Sequence, residues 1–313
     1  MTPVCLSILI PVYNWDIAPL LHSLWAQCSR LAKRDQTEII VVDDGSSRKF
    51  NNRAAAAELP GVVYKELPEN KGRAAVRNFL VQLARGKYIL FLDADMLPDQ
   101  ENFVQTYLEL AGKGRDVVCG GISYRQNDLT DPAGSFYVHK SLKTEALPAE
   151  VRRKTPWRYI FTSNILLRRE IMNSVKFDSR FTGYGFEDIE WGIRLAESFT
   201  VEHIDNTCSH LGVMRKEEVL VRMREATDNY VLLFSLYPQK TGSVGALGLA
   251  RRLRCFPDFL LRYGDKVLTG LFDFFSWNRL LFLLFQCDKA VLLARKLKAQ
   301  GPAAQQDPRD RPR

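Results

Sequence analysis

Residues 88–95 read YILFLDAD, five apolar or aromatic residues followed directly by a pair of carboxylates. An apolar run of this length, rich in β-forming side chains, predicts a strand buried on both faces of a sheet. Asp93 and Asp95 are two residues apart in extended chain, so their side chains point to the same side. Their mutual repulsion would raise one pKa unless a cation lies close. Such a pair suits a hard divalent ion, Mg²⁺ or Mn²⁺.

Similar apolar runs occur earlier in the chain and alternate with helical patterns. The predicted strands are residues 6–10, 38–42, 62–64 and 88–92, and the predicted helices between them are residues 17–31 and 73–84. This alternation gives βαβ units and predicts an α/β fold with a mainly parallel central sheet and flanking helices. The sequence has neither a GxGxxG after the first strand nor a GxxxxGK[ST], so both glycine-rich phosphate cradles are absent.

Polar residues follow each predicted strand where it ends. Asn14 follows the first strand, Asp43 and Asp44 follow the second, and Asn70 lies shortly after the third. Ligands of an open α/β sheet bind in the crevice at the carboxyl ends of its strands. We therefore expect these side chains to converge with the carboxylates of YILFLDAD at one edge. The alternative for each group taken singly is that Asp and Asn are ordinary turn residues.

Several motifs, in this order, resemble those of family 2 glycosyltransferases, which are inverting enzymes of the Rossmann-like GT-A fold. They are PVYN at 11–14, VDDGS at 42–46, ENKG at 69–72 with RN at 77–78, DAD at 93–95, TSNILLRR at 162–169 and FTGYGFEDIEW at 181–191. The last is also similar to the Glu-Asp motif of β-galactosyltransferase and chondroitin-polymerase groups. The resemblance covers about residues 4–215.

The resemblance implies a nucleotide pocket and a metal site. The residues that would bind the nucleotide are Pro11, Asn14, Asp43, Asp44, Arg77 and Asp93. Among them, Asp44 would contact the uracil and ribose of a UDP-sugar. Asp95 would ligate Mn²⁺ or Mg²⁺, and His210 would complete the metal shell. The alternative for a lone histidine is a hydrogen-bonded structural residue.

The resemblance also implies a catalytic pair. Asp188 would be the catalytic base, and Glu187 would hold the acceptor or orient that base. An acceptor hydroxyl must lose its proton as it attacks the sugar C1, and a positioned carboxylate can accept that proton. A single displacement inverts the anomeric carbon and needs no enzyme nucleophile. The structural interpretation of the same pair is that two acidic side chains stabilise a helix N-terminus. The catalytic and the structural interpretation are compatible with each other.

Composition and charge indicate which classes of protein and partner to expect. With 46% hydrophobic and 26% charged residues among 313, it is not wholly disordered or a coiled coil. The net charge is +8, and residues 251–313 hold 13 Lys and Arg against six Asp and Glu, whereas the first 250 residues nearly balance. This basic region is also rich in Leu and Phe, which favours an anionic membrane surface and argues against nucleic acid.

The predicted domains are a GT-A catalytic domain at 1–215, a helical region at 216–300 and a disordered tail at 301–313. Within the helical region, residues 267–285 are apolar but interrupted by Asp273, Asn278 and Arg279. A membrane span is therefore disfavoured, and an amphipathic helix lying in the membrane plane is expected. The alternative is a helical subdomain that packs on the catalytic domain or on a second subunit.

The sequence thus predicts a metal-dependent transferase that moves a sugar from a UDP-sugar to a glycan or lipid-linked glycan in surface polysaccharide synthesis. Six scattered cysteines and the absence of a signal-like N-terminus predict a cytoplasmic protein. The basic C-terminal region predicts a peripheral position on the cytoplasmic face of the membrane. A nucleotidyltransferase would need a glycine-rich loop where this chain has PVYNW at 11–15. A non-catalytic nucleotide-sugar-binding scaffold is disfavoured by the presence of Asp95 and Asp188.

Overall fold

The structure is a computed structural model that describes residues 4–32, 34–48, 50–128, 131–241 and 245–299. Its strands are β1 Leu6–Val12, β2 Thr37–Asp43, β3 Val62–Glu66, β4 Tyr88–Leu92, β5 Met96–Pro98, β6 Val117–Cys119, β7 Ile122–Ser123, β8 Asn164–Arg168, β9 Val201–His203 and β10 Cys208–His210. Its helices are α1 Ala18–Ser29, α2 Asn52–Ala57, α3 Arg73–Leu83, α4 Phe103–Gly112, α5 Ser135–Thr144, α6 Ala149–Arg152, α7 Ile171–Ser174, α8 Glu187–Ser198, α9 Lys216–Glu225, α10 Thr227–Leu236, α11 Pro238–Thr241, α12 Ala246–Leu253, α13 Asp258–Phe274 and α14 Asn278–Ala299. The predicted disordered tail, 301–313, lies outside the described residues.

The central sheet has the strand order β3-β2-β1-β4-β8-β6-β9. Strands β3, β2, β1 and β4 are parallel, and β8 runs antiparallel to both of its neighbours. In the register of the central strands, Ile8 lies beside Ile39 of β2 and beside Leu90 of β4. The predicted α/β class, with a mainly parallel sheet, is confirmed.

Both faces of the sheet are covered, which explains why the strands read as unbroken apolar runs. Ile8 and Leu90 belong to a buried cluster that includes the apolar side chains of α1. Leu9 and Phe91, their neighbours in sequence, belong to a second cluster that includes those of α3. Since alternate side chains of a strand face opposite sides, burial on both sides removes any need for polar residues.

A second, smaller sheet has three strands in the order β5-β10-β7. Its strand β5 is the next strand after β4 in the chain. Asp99, just after β5, accepts hydrogen bonds from hydroxyl groups in or beside the other two strands, β7 and β10. The donors are Ser123 at 2.5 Å, Thr207 at 2.5 Å and Ser209 at 2.6 Å. A carboxylate bonded in this way fixes β10, and with it His210, relative to β5.

The described residues form two compact units. The first contains those within Met1–Asp128, Leu142–Asp178 and Asp188–Gly212. The second contains those within Leu129–Ser141, Ser179–Glu187 and Val213–Arg313. Both sheets lie in the first unit, whereas the second is helical. The boundary at residue 215 stays a prediction.

In the second unit, helices α10, α12 and α13 pack on α14. The ring of Phe136 meets Phe272 of α13 and Phe285 of α14 edge-on, with centroids 5.1 and 5.9 Å apart. Arg224 of α9 donates to Asp265 at 2.7 Å and to Asp288 at 3.0 Å. Apolar packing and this partly buried ion cluster together hold the helices in one bundle.

The expected single helix at 267–285 is two helices, α13 and α14, separated at residues 275–277. Lys216 stabilises the end of α13, because its Nζ donates to the carbonyls of Phe272, Asp273 and Phe275 at 3.1, 2.8 and 2.9 Å. An ammonium group thereby caps the free carbonyls at the end of α13. Of the described helices, none is both long enough and apolar enough to cross a membrane.

A buried histidine makes the stability of the first unit depend on pH. His203 is fully buried, its Nδ1 lies 2.9 Å from Nη1 of Arg152, and its Nε2 lies 3.0 Å from the carbonyl of Pro156. Burial and the neighbouring guanidinium lower the pKa of His203 to about 4. The unfolded chain, with an imidazole pKa of about 6.5, then binds the proton more readily than the folded protein.

We therefore expect the melting temperature to fall as the pH drops from about 6.5 toward 4. The contribution of His203 is fully present above pH 6.5 and is lost as the pH approaches the folded pKa. In His203→Asn, which keeps an acceptor for Arg152, the fall in melting temperature between pH 7 and pH 5 should be a few degrees smaller. An equal fall in both proteins, measured by calorimetry, would contradict this assignment.

Candidate active site

The loop after β1 is tied to the loop after β2. Asn14 has a left-handed backbone, with φ 53°, which an asparagine tolerates better than most residues. Its N–H donates to the hydroxyl of Ser46 at 2.8 Å, and its Oδ1 accepts from the N–H of Arg48 at 2.8 Å. Pro11, also predicted to line the nucleotide pocket, lies inside β1 and pairs with Val42.

Asp44, at the end of β2, is held by backbone groups that precede α3. Its Oδ1 accepts from the N–H of Lys71 at 2.8 Å, and its Oδ2 accepts from the N–H of Gly72 at 2.9 Å. Burial raises the pKa of Asp44, although both hydrogen bonds act in the opposite direction. The two hydrogen bonds fix the Asp44 carboxylate in one orientation at the edge of the sheet.

The neighbouring Asp43 is bound within the loop that follows β2. Its Oδ1 accepts from the N–H of Ser46 at 2.8 Å, and its Oδ2 accepts from the hydroxyl of Tyr64 at 3.2 Å. Each oxygen thus already has one partner, and the side chain shapes the loop. Its role toward a nucleotide stays a prediction.

Arg77 connects α3 to the end of β4. Its Nη2 donates to Oδ1 of Asp93 at 2.7 Å, and its side chain is 3% exposed. The N-terminal end of this helix also holds Asp44, through Gly72. One helix therefore positions the carboxylates of two strands, β2 and β4, at the same edge of the sheet.

Asp95 and His210 form a close pair. Oδ2 of Asp95 lies 3.3 Å from Nε2 of His210, because the antiparallel register of β5 and β10 places Met96 opposite the histidine. A Cβ at Gly212 would lie 2.4 Å from Oδ2 of Asp95, so a side chain at this position would have to displace the carboxylate. Burial alone would raise the pKa of Asp95 and lower that of His210. Their hydrogen bond and attraction outweigh it, so the pKa of Asp95 is lowered and that of His210 is raised.

The chemistry of this pair fits a divalent ion. A carboxylate oxygen and an imidazole nitrogen are both ligands of first-row divalent metals. Two ligands at right angles on one ion, with bonds of about 2.1 Å, lie about 3.0 Å apart, close to the separation of this pair. Within the described residues, no group of three or more His, Cys, Asp or Glu is arranged to hold a metal. Asp95 and His210 supply two donors, and phosphate oxygens and water could supply the rest.

Asp188 is the second residue of α8 and lies at the same edge of the sheet. Its Oδ2 accepts from the N–H of Thr162 at 3.3 Å and from the hydroxyl of Thr162 at 3.2 Å. The carbonyl of Ser163, the next residue, accepts from the N–H of Asp93 at 3.4 Å. Two contacts through adjacent residues thus connect the predicted base to the end of β4.

Thr162 was not singled out from the sequence, although it begins the matching stretch TSNILLRR. Glu187, the partner of Asp188 in the predicted pair, is the first residue of α8 and is buried. An acidic residue at this position stabilises the helix N-terminus, so the structural interpretation applies to it. Its role toward an acceptor stays a prediction.

The loop that leads into α8 is anchored within the second unit. Nδ2 of Asn229 donates to the carbonyls of Thr182 at 2.9 Å and Gly185 at 2.8 Å. Phe186 has φ 70°, and its ring stacks on Tyr230 with centroids 4.5 Å apart. A strained backbone of this kind persists only where its surroundings hold it in place.

Residues 7–175 match the model of the protein family "Glycosyl transferase family 2". Among curated proteins, glycosyltransferase GlyG of Streptococcus pneumoniae is 29% identical over 198 residues, covering 58% of this chain and 62% of the relative. The undecaprenyl-phosphate 4-deoxy-4-formamido-L-arabinose transferase of Pseudomonas fluorescens is 37% identical over 128 residues, covering 39% of this chain and 37% of the relative. The matches therefore span less than two thirds of either relative.

A solved structure has a similar fold, the mannosyltransferase PcManGT from Pyrobaculum calidifontis in complex with GDP-Man and Mn²⁺. The alignment covers 96% of this chain and 89% of that protein, with a TM-score of 0.56 and 15% sequence identity. At this identity the likeness concerns the fold alone, and it supports the GT-A-like class.

Proposed function

Since the chain belongs to glycosyl transferase family 2, as the family match over residues 7–175 shows, we propose that it is a metal-dependent, inverting transferase that uses a UDP-sugar. The observation that carries the proposal is the meeting of four groups at one sheet edge. They are Asp44 after β2, Asp93 and Asp95 after β4, His210 of β10, and Asp188 of α8. Ligands of open α/β sheets bind at this edge.

In this proposal, Asp44 contacts the nucleoside, and Pro11, Asn14 and Asp43 shape the surrounding pocket. The backbone N–H groups of Lys71 and Gly72 keep the Asp44 carboxylate in place, so its orientation is fixed before the nucleotide binds. The ion pair between Arg77 and Asp93 similarly fixes the end of β4.

Asp95 and His210 would hold the divalent ion, Mn²⁺ or Mg²⁺. A bound divalent ion neutralises charge on the diphosphate and so makes it a better leaving group. The similarly folded mannosyltransferase contains GDP-Man and Mn²⁺, which supports a divalent ion in this fold.

Asp188 is the proposed general base. The acceptor oxygen forms a bond to C1 of the sugar while the bond from C1 to the phosphate oxygen breaks, and its electron pair leaves with the nucleoside diphosphate. The proton of the acceptor hydroxyl moves to a carboxylate oxygen of Asp188. Hydrogen bonds from Thr162 orient the carboxylate for this transfer. Attack from the face opposite the leaving group inverts C1.

The proposed acceptor is a hydroxyl of a glycan in surface polysaccharide or lipid-linked glycan synthesis, made at the cytoplasmic face of a membrane. The relative from Pseudomonas fluorescens is named for transfer to undecaprenyl phosphate, which supports a lipid-linked acceptor. A peripheral position on the membrane, with the basic C-terminal region toward anionic lipid, completes the proposal.

The test is a panel of UDP-sugars and GDP-sugars assayed for nucleotide release with Mn²⁺, with Mg²⁺ and with EDTA, each with and without candidate glycan acceptors. The proposal expects release from at least one UDP-sugar, dependent on a divalent ion and stimulated by an acceptor. Release from GDP-sugars alone would overturn the donor assignment. Nucleotide binding without any release would instead support a non-catalytic scaffold.

A glycine in the proposed nucleotide pocket offers a further prediction. Gly45 has φ 68°, and a Cβ there would lie 2.4 Å from the carbonyl carbon of Glu69. Gly45→Ala must displace the segment that holds Asp44. We expect the Kd for UDP to rise about 10-fold or more, since such strain costs about 1–3 kcal/mol.

Gly61→Ala is the matched control for this titration. Gly61 also has a positive φ, 86°, but no atom lies within 4 Å of an added Cβ. The backbone strain of the two variants is therefore similar, and only Gly45→Ala adds a clash. An equal change in UDP affinity in both variants would show that the nucleotide is not bound beside this loop.

A further inference from the structure

Helix α13 has apolar side chains on its solvent side as well as on its packed side. Leu261 and Phe272 are buried, with 4% and 1% of their surfaces exposed. Six large apolar residues of the same helix are exposed, and we call them the outer face of α13: Phe259, Leu260, Tyr263, Val267, Leu271 and Phe274. The exposed fraction reaches 69% for Tyr263 and 82% for Phe274. Solvent-exposed apolar patches of this kind mark interaction sites.

The outer face is one continuous stripe. At about 100° per residue, its six side chains fall within about 120° of the helix circumference. The two buried side chains fall on the other side. Phe256 precedes the helix and Trp277 follows it, and both are exposed, by 47% and 65%. The stripe therefore runs the full length of the helix, with an aromatic residue at each end.

Charged side chains border the stripe. Arg262 and Lys266 are exposed and lie along one edge of the outer face, which also carries the exposed Asp273. Over residues 251–279 the chain has six Lys and Arg against three Asp and Glu. One of the acidic residues, Asp258, is paired with Arg262 at 2.5 Å and with Arg295 at 3.3 Å. The segment 251–279 therefore has a net charge of +3, which suits a negatively charged partner.

We propose that the outer face of α13 docks into the headgroup region of a bilayer that contains anionic phospholipid, with the helix axis parallel to the membrane. Aromatic and aliphatic side chains beside Lys and Arg are the pattern of helices that lie in this interface. The inference rests on the proposed function, in which the acceptor is lipid-linked. It moves the membrane-binding element from the predicted residues 267–285 to residues 256–277, because α14 is occupied in packing the bundle.

Charge also favours a bilayer over a second copy of the chain. In a symmetric dimer built on this stripe, the same surface of each copy faces the other. Where the two copies of α13 run antiparallel, the edges that carry Arg262 and Lys266 approach each other, and like charges in an interface are unfavourable. An anionic membrane instead attracts each Lys or Arg near its surface.

The experiment is flotation of the full chain with vesicles of phosphatidylcholine alone and with vesicles that also contain phosphatidylglycerol. We expect binding to the anionic vesicles, and a loss of about 10-fold or more in Phe259→Ser/Tyr263→Ser/Phe274→Ser, because three large apolar side chains no longer enter the bilayer. Val221→Ser/Leu283→Ser is the matched control, since these residues are exposed by 53% and 59% on other helices. Equal binding by wild type and the triple variant would overturn the proposal.

A second pair of substitutions tests the charge. Arg262→Glu/Lys266→Glu should weaken binding to anionic vesicles by about 10-fold or more, since each cation near such a surface adds about 1 kcal/mol. Equal binding to both kinds of vesicle would overturn the assignment to anionic lipid. A wild-type dimer that the triple serine variant dissociates, together with no vesicle binding, would identify a second copy as the occupant and overturn the proposal.

Trp277 provides a readout at the end of the stripe. Its fluorescence should shift to shorter wavelength and be quenched by brominated lipid on binding, and Trp277→Phe should remove most of that change. Nucleotide release in the absence of vesicles separates this inference from the proposed function. Normal release without vesicle binding overturns the inference alone, whereas an absence of release from every donor overturns the proposed function, whatever the vesicle result.

Discussion

Asp188→Asn should lower turnover by about 10²–10⁴-fold and leave the Kd for the UDP-sugar within a few-fold. An amide is close to a carboxylate in size, so the N-terminus of α8 and the contact with Thr162 should persist. The amide cannot accept a proton, however, and the attacking hydroxyl then loses its base. Loss of rate without loss of donor affinity is the pattern of an interaction made only in the transition state.

Initial rates and calorimetric titration with the donor measure the two quantities separately. Glu197→Gln is the control, since Glu197 is an exposed acid in the last turn of the same helix. It should keep both turnover and affinity. A parallel fall of turnover and donor affinity in Asp188→Asn would assign Asp188 to nucleotide binding. Thr162→Val, which keeps one N–H but removes the hydroxyl, should fall between wild type and Asp188→Asn in turnover.

Asp95→Ala should remove the gain in UDP affinity that a divalent ion provides. The coupling between two ligands that share a site is typically about 5- to 150-fold in affinity. In wild type we expect a difference of this size between titrations with Mn²⁺ and with EDTA. In Asp95→Ala only His210 of the pair is left, and the two titrations should nearly coincide.

Coupling is reciprocal, so the same substitution should also remove the effect of UDP on Mn²⁺ affinity. That second titration separates the loss of a metal ligand from general damage to the nucleotide pocket. Glu101→Ala is the control, because Glu101 follows β5 closely and its side chain is 91% exposed. An unchanged difference between Mn²⁺ and EDTA in Asp95→Ala would place the ion elsewhere.

Much of the central sheet could be predicted from the sequence. Both faces of this sheet are buried, so its central strands appear in the sequence as unbroken apolar runs. Strands β1, β2 and β4 are apolar along most of their lengths, and the predicted strand 88–92 coincides with β4. The weaker β3 was also placed correctly. Carboxylates directly after such strands must lie at one edge, which is a consequence of parallel topology alone.

The partners of those carboxylates could not be predicted in the same way. Asp44 is held by backbone N–H groups of Lys71 and Gly72, and every non-proline residue carries such a group. Thr162 meets Asp188 from 26 residues away, through a strand pairing that periodicity does not reveal. Contacts of this kind follow from tertiary arrangement, not from local composition.

In the C-terminal region, helix formation was predicted but the helix boundaries were wrong. The continuous apolar stretch 267–285 hides the end of α13, where the ammonium group of Lys216, almost 60 residues earlier, binds the last carbonyls. Helix α5 was likewise not predicted, since only its Phe136, Tyr137 and Ser141 are buried and its other residues are largely polar. Partners distant in sequence decided both outcomes.

The anchoring of the segment at 179–187 bears on how far the chain can be shortened. A fragment that stops near residue 215 would keep every strand and Asp188 itself, yet it would lack Asn229 and Tyr230, which secure the turn just before that aspartate. In such a fragment, the turn before Asp188 would lose the hydrogen bonds of Asn229 and the ring contact of Tyr230. The family match ends at residue 175, whereas the side chains that hold this turn lie beyond residue 215.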